Sequence, residues 1–347
     1  MMMFVLYNYK VKHRISLYKC NHKGYLTMFL LLTSYAVLDY TGGDFFGYYS
    51  LYQNSKMYGS TLHMEPVYGW LIRHTGNYYQ WRFAVWGGAT LLWVMTIKRM
   101  KQDVDYAALM FLLLVFYNFV AGRQTIGFSF IFFGLSVLLC RDKGKIIQLL
   151  MGVALILCSL YFHRTMIVYC ILLLFAMIPF RKWGIYILLL AFPVLFYGFD
   201  TFMKDFVNLI GGLAEDSSER MQFYLNSDFR AVSNIFGIIR TVIERLPVFL
   251  LLGYSVYTVL IKNSKQPFIY ETLLRLTFLL IYISFLFSGQ EVSAYIAPRF
   301  WDAALFPMTL FASYYMFSQR ERTFIRVCTF MLIFAKLFYV FYEVYSV

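Results

Sequence analysis

The sequence predicts an all-α fold, a polytopic membrane bundle of about eleven spanning helices (10–12). Three observations predict it. The chain is 61% hydrophobic and 14% charged, whereas a soluble domain carries roughly 25% charged residues. Its apolar runs recur at the length a helix needs to cross hydrocarbon, about 17–25 residues. Its cationic residues cluster in alternate connections, the pattern that orients a membrane bundle. The 347 residues suit one transmembrane domain, 1–347.

The expected spans are about 25–39, 83–97, 106–121, 125–140, 146–162, 165–180, 183–199, 246–261, 271–287, 301–317 and 324–343. The segment 229–245 reads as either an interfacial helix or the start of a longer tilted one. Residues 1–9 are apolar but too short to span, and the basic stretch follows them, so no cleavable signal peptide is expected.

Charge orients the bundle. Residues 1–24 hold Lys10, Lys12, Arg14, Lys19 and Lys23. Later connections hold Lys98/Arg99/Lys101, Arg141/Lys143/Lys145, Arg181/Lys182, Lys262/Lys265 and Arg320/Arg322. The positive-inside rule places all of these, and the N-terminus, in the cytoplasm. The net charge of +13 is therefore a topology signal and calls for no nucleic-acid partner. The outer connections are about 40–82, 122–124, 163–164, 200–245 and 288–300. The long ones, 40–82 and 200–245, have room for amphipathic helices and for a site.

Several chemistries are disfavoured. The five cysteines fall on the inner side or within spans, so no outer structural disulfide is expected. There is no CxxC or HExxH pattern, no Walker A loop and no GxGxxG. The expectation is no metal and no cofactor.

Two apolar hairpins each carry a cationic tip. Asp105 and Arg141 bracket thirty-five residues whose only charge is Arg123, followed by Gln124. Lys145 and Arg181 bracket another thirty-five, whose only charge is Arg164, preceded by His163. An arginine at or just inside a membrane face must meet protein, water or a polar ligand. Arg299 stands at the outer entrance of the tenth span. Arginine binds phosphate with two parallel hydrogen bonds, so Arg123, Arg164 and Arg299 suit a pyrophosphate. The alternative for each is snorkelling or a salt bridge. His163 reads as a base, a proton shuttle or a phosphate hydrogen-bond donor, or else as an interfacial polar residue. Arg73, Arg82, Arg220 and Arg230 are weaker candidates because they lie in long loops. Lys336 lies deep in the last span and is expected to snorkel or to pair within the bundle.

The loop 40–82 holds the carboxylates. Asp44, Tyr48 and Tyr52 fall at helical spacing, and Glu65-Pro66 opens a second short segment with Tyr68 and Trp70. Asp44 and Glu65 are candidate bases for an acceptor hydroxyl, or helix caps and ion-pair partners. The aromatics, Tyr48 and Tyr68 among them, read as a headgroup belt or as walls that stack on sugars.

These motifs resemble the EpsG-like branch of the Wzy-type polysaccharide polymerases. The matching residues are Gly43-Asp44-Phe45 with Tyr48 and Tyr49, Glu65-Pro66-Val67-Tyr68, Arg123-Gln124-Thr125-Ile126, Phe162-His163-Arg164 and Arg299-Phe300. Their order matches over roughly residues 25–310. Val67 stands where the family has glycine, and Asp39 or Tyr40 replaces the family arginine that ends the first full span. Arg82 or Arg164 can substitute for that arginine. The resemblance implies a metal-independent glycosyltransferase of the bacterial cytoplasmic membrane, acting on oligosaccharides linked to undecaprenyl pyrophosphate. It implies Arg123 and Arg299 on the pyrophosphate, with Arg164 and Gln124 in support. His163, with Asp44 or Glu65, would serve the acceptor. Partners implied are the bilayer and the chain-length regulator and flippase of the same pathway. The competing readings are a lipid-linked oligosaccharide flippase and a glycan ligase.

Overall fold

A computed structural model describes residues 22–38, 45–58, 66–115, 124–140, 146–163, 165–211, 235–288 and 296–345. These residues form helices and turns, with no strand among them. The first helices are α1 (His22–Leu38), α2 (Phe45–Tyr58) and α3 (Pro66–His74). Next comes α4, which starts as Tyr78–Arg82, passes through a π-helical turn at Phe83–Gly87 and continues as Gly88–Arg99. α5 is Val104–Met110 extended by a π turn, Phe111–Val115. Then follow α6 (Gln124–Leu139), α7 (Ile146–Phe162), α8 (Met166–Met177) and α9 (Lys182–Gly211). The last four are α10 (Ile235–Ser255, extended by Val256–Ile261), α11 (Phe268–Ser288), α12 (Ile296–Ser318) and α13 (Thr323–Tyr345).

Each predicted span coincides with one of these helices to within a few residues at its ends, although 39 and 116–121 lie outside the described residues. The 40–82 loop contains helices, as expected. Two boundaries are corrected. α9 runs on to Gly211, and α10 begins at Ile235, so the segment 229–245 resolves in its second half into the start of a long helix. Thr241–Ile261 and Phe268–Ser288 are long and apolar enough to cross a membrane. Shorter apolar helices include Gln124–Leu139, Ile146–Phe162 and Met166–Met177. Large apolar side chains stay exposed along α7 and α9, among them Ile147, Leu150, Leu157, Ile187, Leu190 and Val194. Water does not tolerate such continuous apolar faces, and lipid does.

The chain divides into two compact units. Unit 1 is Met1–Phe175, Pro267–Tyr270 and Phe306–Thr323; unit 2 is Ala176–Gln266, Glu271–Leu305 and Phe324–Val347.

In unit 1, α1 and α4 run antiparallel. At one end the Tyr25 hydroxyl donates to the Gln102 carbonyl just past α4 (3.2 Å). At the other end Arg82 reaches the carbonyl of Ala36. The turn after α4 is held closely. The Gln102 side chain donates to the Leu310 carbonyl (2.7 Å) and accepts from the Ser313 hydroxyl (2.6 Å). Lys101 in this turn has a left-handed backbone (φ 54°). α6 and α7 cross backbone against backbone. A Cβ on Gly134 would sit 2.8 Å from the Gly152 carbonyl oxygen, so only glycine permits this contact. Small residues serve this purpose where helices pack in lipid.

In unit 2, Arg275 is fully buried. It donates to Glu271 (2.6 Å) and to the Phe180 carbonyl (3.1 Å), and Arg181 approaches the other Glu271 oxygen at 3.5 Å. The sequence reading passes over this pair inside the expected span 271–287. Opposite charges four residues apart in an apolar run were the available signal. Two further bonds tie the unit together: Tyr282 donates to the Leu188 carbonyl (2.7 Å) and Ser284 to the Ala297 carbonyl (2.7 Å).

Candidate functional site

Among the described residues, Tyr48, Tyr68 and Arg82 gather at the end of α4 away from the Lys98–Lys101 turn. Local chemistry fixes where α4 starts. The Asn77 side chain accepts from the Gln80 amide (2.9 Å), and the Gln80 side chain accepts from the Gly76 amide (2.8 Å). This reciprocal capping satisfies amides that a helix start leaves unpaired. It sets Trp81 and Arg82 on the first turn.

Around that turn lies an aromatic cluster. Trp81 is fully buried, with ring centres of Tyr48, Tyr52, Tyr68, Tyr78 and Trp86 between 5.6 and 6.3 Å away. Its indole N–H has no partner among the described residues. Arg82, 2% exposed, donates through Nε and Nη2 to the Ala36 carbonyl. Its guanidinium carbon lies 5.0 Å from the Trp86 ring centre and 5.8 Å from that of Tyr78. Burial pushes the Tyr78 hydroxyl up to about 12, against the opposing pull of Arg82, so Tyr78 is a neutral hydroxyl at working pH.

Arg82 is therefore not a solvated loop charge. It is a buried guanidinium on the start of α4, set against the last turn of α1. The helix start signalled by Asn77 and Gln80 was the clue that it belongs to a helix rather than to a loop.

Tyr48 and Tyr68 also differ from expectation. The ring of Tyr68 has no exposed surface: it meets Trp81 edge-on at 6.2 Å and Phe162 at 6.2 Å. Tyr48 meets Trp81 and Trp86. Both rings are buried against other aromatics and turn no open face outward. Aromatic rings recover more by packing edge-to-face on each other than by partial exposure. The exposed rings are Trp70, stacked on His74 at 4.3 Å, together with Tyr49 and Tyr79.

Tyr68 touches Phe162, the last residue of α7, and His163 follows in the tight turn to α8. That turn is closed by the Met166 amide donating to the His163 carbonyl (3.0 Å). Gln124 opens α6. A Cβ on Gly127, one turn on, would sit 2.7 Å from Met166 Sδ. The start of α6 and the α7–α8 turn are thus in contact, with Gln124 and His163 both half-buried there. Asp44, Glu65, Arg123 and Arg164 lie outside the described residues. Arg299, in unit 2, is exposed on the first turn of α12.

The described residues form helices and no strand, and their continuous exposed apolar faces suit lipid, which defines a helical membrane protein. The chain belongs to the EpsG family, which it matches over residues 24–347. It is accordingly a membrane protein of polysaccharide biosynthesis, of a glycosyltransferase-like polymerase family. No curated protein and no solved structure matches the chain.

Proposed function

We propose that this protein polymerises a cell-surface polysaccharide (exopolysaccharide, capsule or O-antigen) at the outer face of the bacterial cytoplasmic membrane. In this reading the glycan moves from undecaprenyl pyrophosphate to the terminal sugar of another lipid-linked repeat unit. The acceptor hydroxyl attacks the anomeric carbon and loses its proton to a base. The bond from that carbon to the phosphate oxygen breaks, and the pyrophosphate leaves with the electron pair. Arg123 and Arg299 hold the pyrophosphate, supported by Arg164 and Gln124. His163, with Asp44 or Glu65, serves the acceptor hydroxyl. Guanidinium groups stabilise a leaving diphosphate as fixed positive charge, which requires no metal. Tyr48 and Tyr68 act indirectly, by fixing the helices around His163.

The observation that carries the reading is membership of the EpsG family over nearly the whole chain, supported by the contact between the helix opened by Gln124 and the turn that holds His163. The test is a gel of the host polysaccharide after deleting the gene and complementing it. The expected result is loss of long chains with single repeat units retained. Repeat units trapped on the inner leaflet would instead mark a flippase. Retention of long chains on the carrier, unattached to their final acceptor, would mark a ligase.

A further inference from the structure

Four ionisable side chains outside that assignment lie within electrostatic reach of one another in unit 2. α10 carries Glu244 and Arg245, α12 carries Asp302, and α13 carries Lys336. The acidic neighbours of Arg245 are Asp302 and Glu244, and that of Lys336 is Glu244. The Arg245 guanidinium carbon lies 4.8 Å from the centre of the Trp301 ring, and Phe249 meets the same ring at 4.9 Å. Asp302 falls in the second turn of α12, and Arg245 in the second turn of the apolar stretch Thr241–Ile261. Each therefore lies in the half of its helix remote from the basic turn that follows that helix.

All four charged groups are only half-buried. In a membrane bundle such groups do not open onto hydrocarbon; they face the bundle interior or water and pair with one another. Exposed Arg299 precedes Asp302 by three residues, which puts both on one face of α12 with Cβ atoms about 5–6 Å apart. The charge of Glu244 acts on both Arg245 and Lys336 and so links α10 to α13 electrostatically. Asp302 is the carboxylate on the helix that also presents an exposed arginine.

We propose that Asp302 is the catalytic base of the glycosyl transfer, with Arg245 positioning its carboxylate. This rests on the polymerase reading above and replaces Asp44 or Glu65 in that role. The acceptor hydroxyl gives its proton to Asp302 as its oxygen forms the new bond to the anomeric carbon. The electron pair of the breaking bond goes to the pyrophosphate, which faces Arg299, and Asp302 later releases the proton to water. Trp301, clamped by Arg245 and Phe249, holds this arrangement rigid. The substrate class at this position is the hydroxyl-bearing terminal sugar of the acceptor.

The test uses the full-length protein in lipid vesicles, with a lipid-linked repeat unit as substrate and product length read on a gel. Asp302→Asn is expected to lower the elongation rate about 100-fold or more with little change in KM. Asp302→Glu should restore part of the rate. Should Asp302→Asn fail to fold, the double variant Asp302→Asn/Arg245→Met removes both charges and leaves no unpaired arginine. It should show the same loss. Wild-type elongation with a folded variant within about threefold of it overturns the assignment of Asp302 alone. Absence of elongation by the wild-type protein overturns this proposal and the polymerase reading together.

Discussion

The guanidinium of Arg82 grips the backbone carbonyl of Ala36, tying the start of one long helix to the last turn of another. A helix leaves its final carbonyls unpaired, and a cation there also meets the negative end of the helix dipole. Trp86 and Tyr78 enclose the group. The same residue therefore anchors unit 1 and sits among the aromatics beside the candidate site.

Arg82→Met should destabilise the protein by about 3 kcal/mol, since it removes charged hydrogen bonds from a buried carbonyl. Arg82→Lys should recover only part of this, because an ammonium lacks the planar fork. Thermal unfolding in detergent measures both, and a neutral Arg82→Met would show that the contact does not hold the helices.

Gly134 tests the α6–α7 crossing. An added methyl would meet the Gly152 carbonyl oxygen at 2.8 Å, so Gly134→Ala should cost about 1–3 kcal/mol. Gly253, in α10, has open space where its Cβ would lie. Gly253→Ala should stabilise by about 0.5–1 kcal/mol. The two midpoints should move in opposite directions.

Glu271 and Arg275 form a pair that should be removed together or not at all. Glu271→Gln leaves buried Arg275 without its counter-ion and should cost about 3–5 kcal/mol. Glu271→Gln with Arg275→Met should recover most of that stability. A double variant no better than the single one would mean that the bonds from Arg275 to the Phe180 and Ala176 carbonyls matter more than the ion pair.

Arg299 separates function from folding. It is exposed, so Arg299→Met should shift stability by no more than about 0.5 kcal/mol. It should nonetheless abolish long polysaccharide chains in complemented cells, and Arg299→Lys should restore them only in part. Full-length chains from Arg299→Met would remove Arg299 from the pyrophosphate site.

The sequence was informative wherever a property is local. Spans were legible because a helix in lipid pairs its own backbone groups, so an apolar run of sufficient length is enough to predict one. The helical pieces of the 40–82 loop were legible from the spacing of Tyr48 and Tyr52 and from Glu65-Pro66. The helix ends at Gln124 and Phe162 fall beside the single arginine of each apolar run, as that interruption predicts.

Side-chain environment was decided by the tertiary structure. Tyr68 looks like a belt residue or a sugar wall, but Trp81 and Phe162 cover it. Arg82 looks like a loop charge, yet Ala36, forty-six residues earlier, accepts its hydrogen bonds. Glu244, Arg245, Asp302 and Lys336 are ordinary span-end or in-span charges until three helices bring them within electrostatic reach. By itself the sequence determined which segments are helical and where charge interrupts them, because hydrophobicity and backbone pairing act within a segment. Only the tertiary structure decided which charges meet and which rings are enclosed, because that depends on helix rotation and packing between segments far apart in the chain.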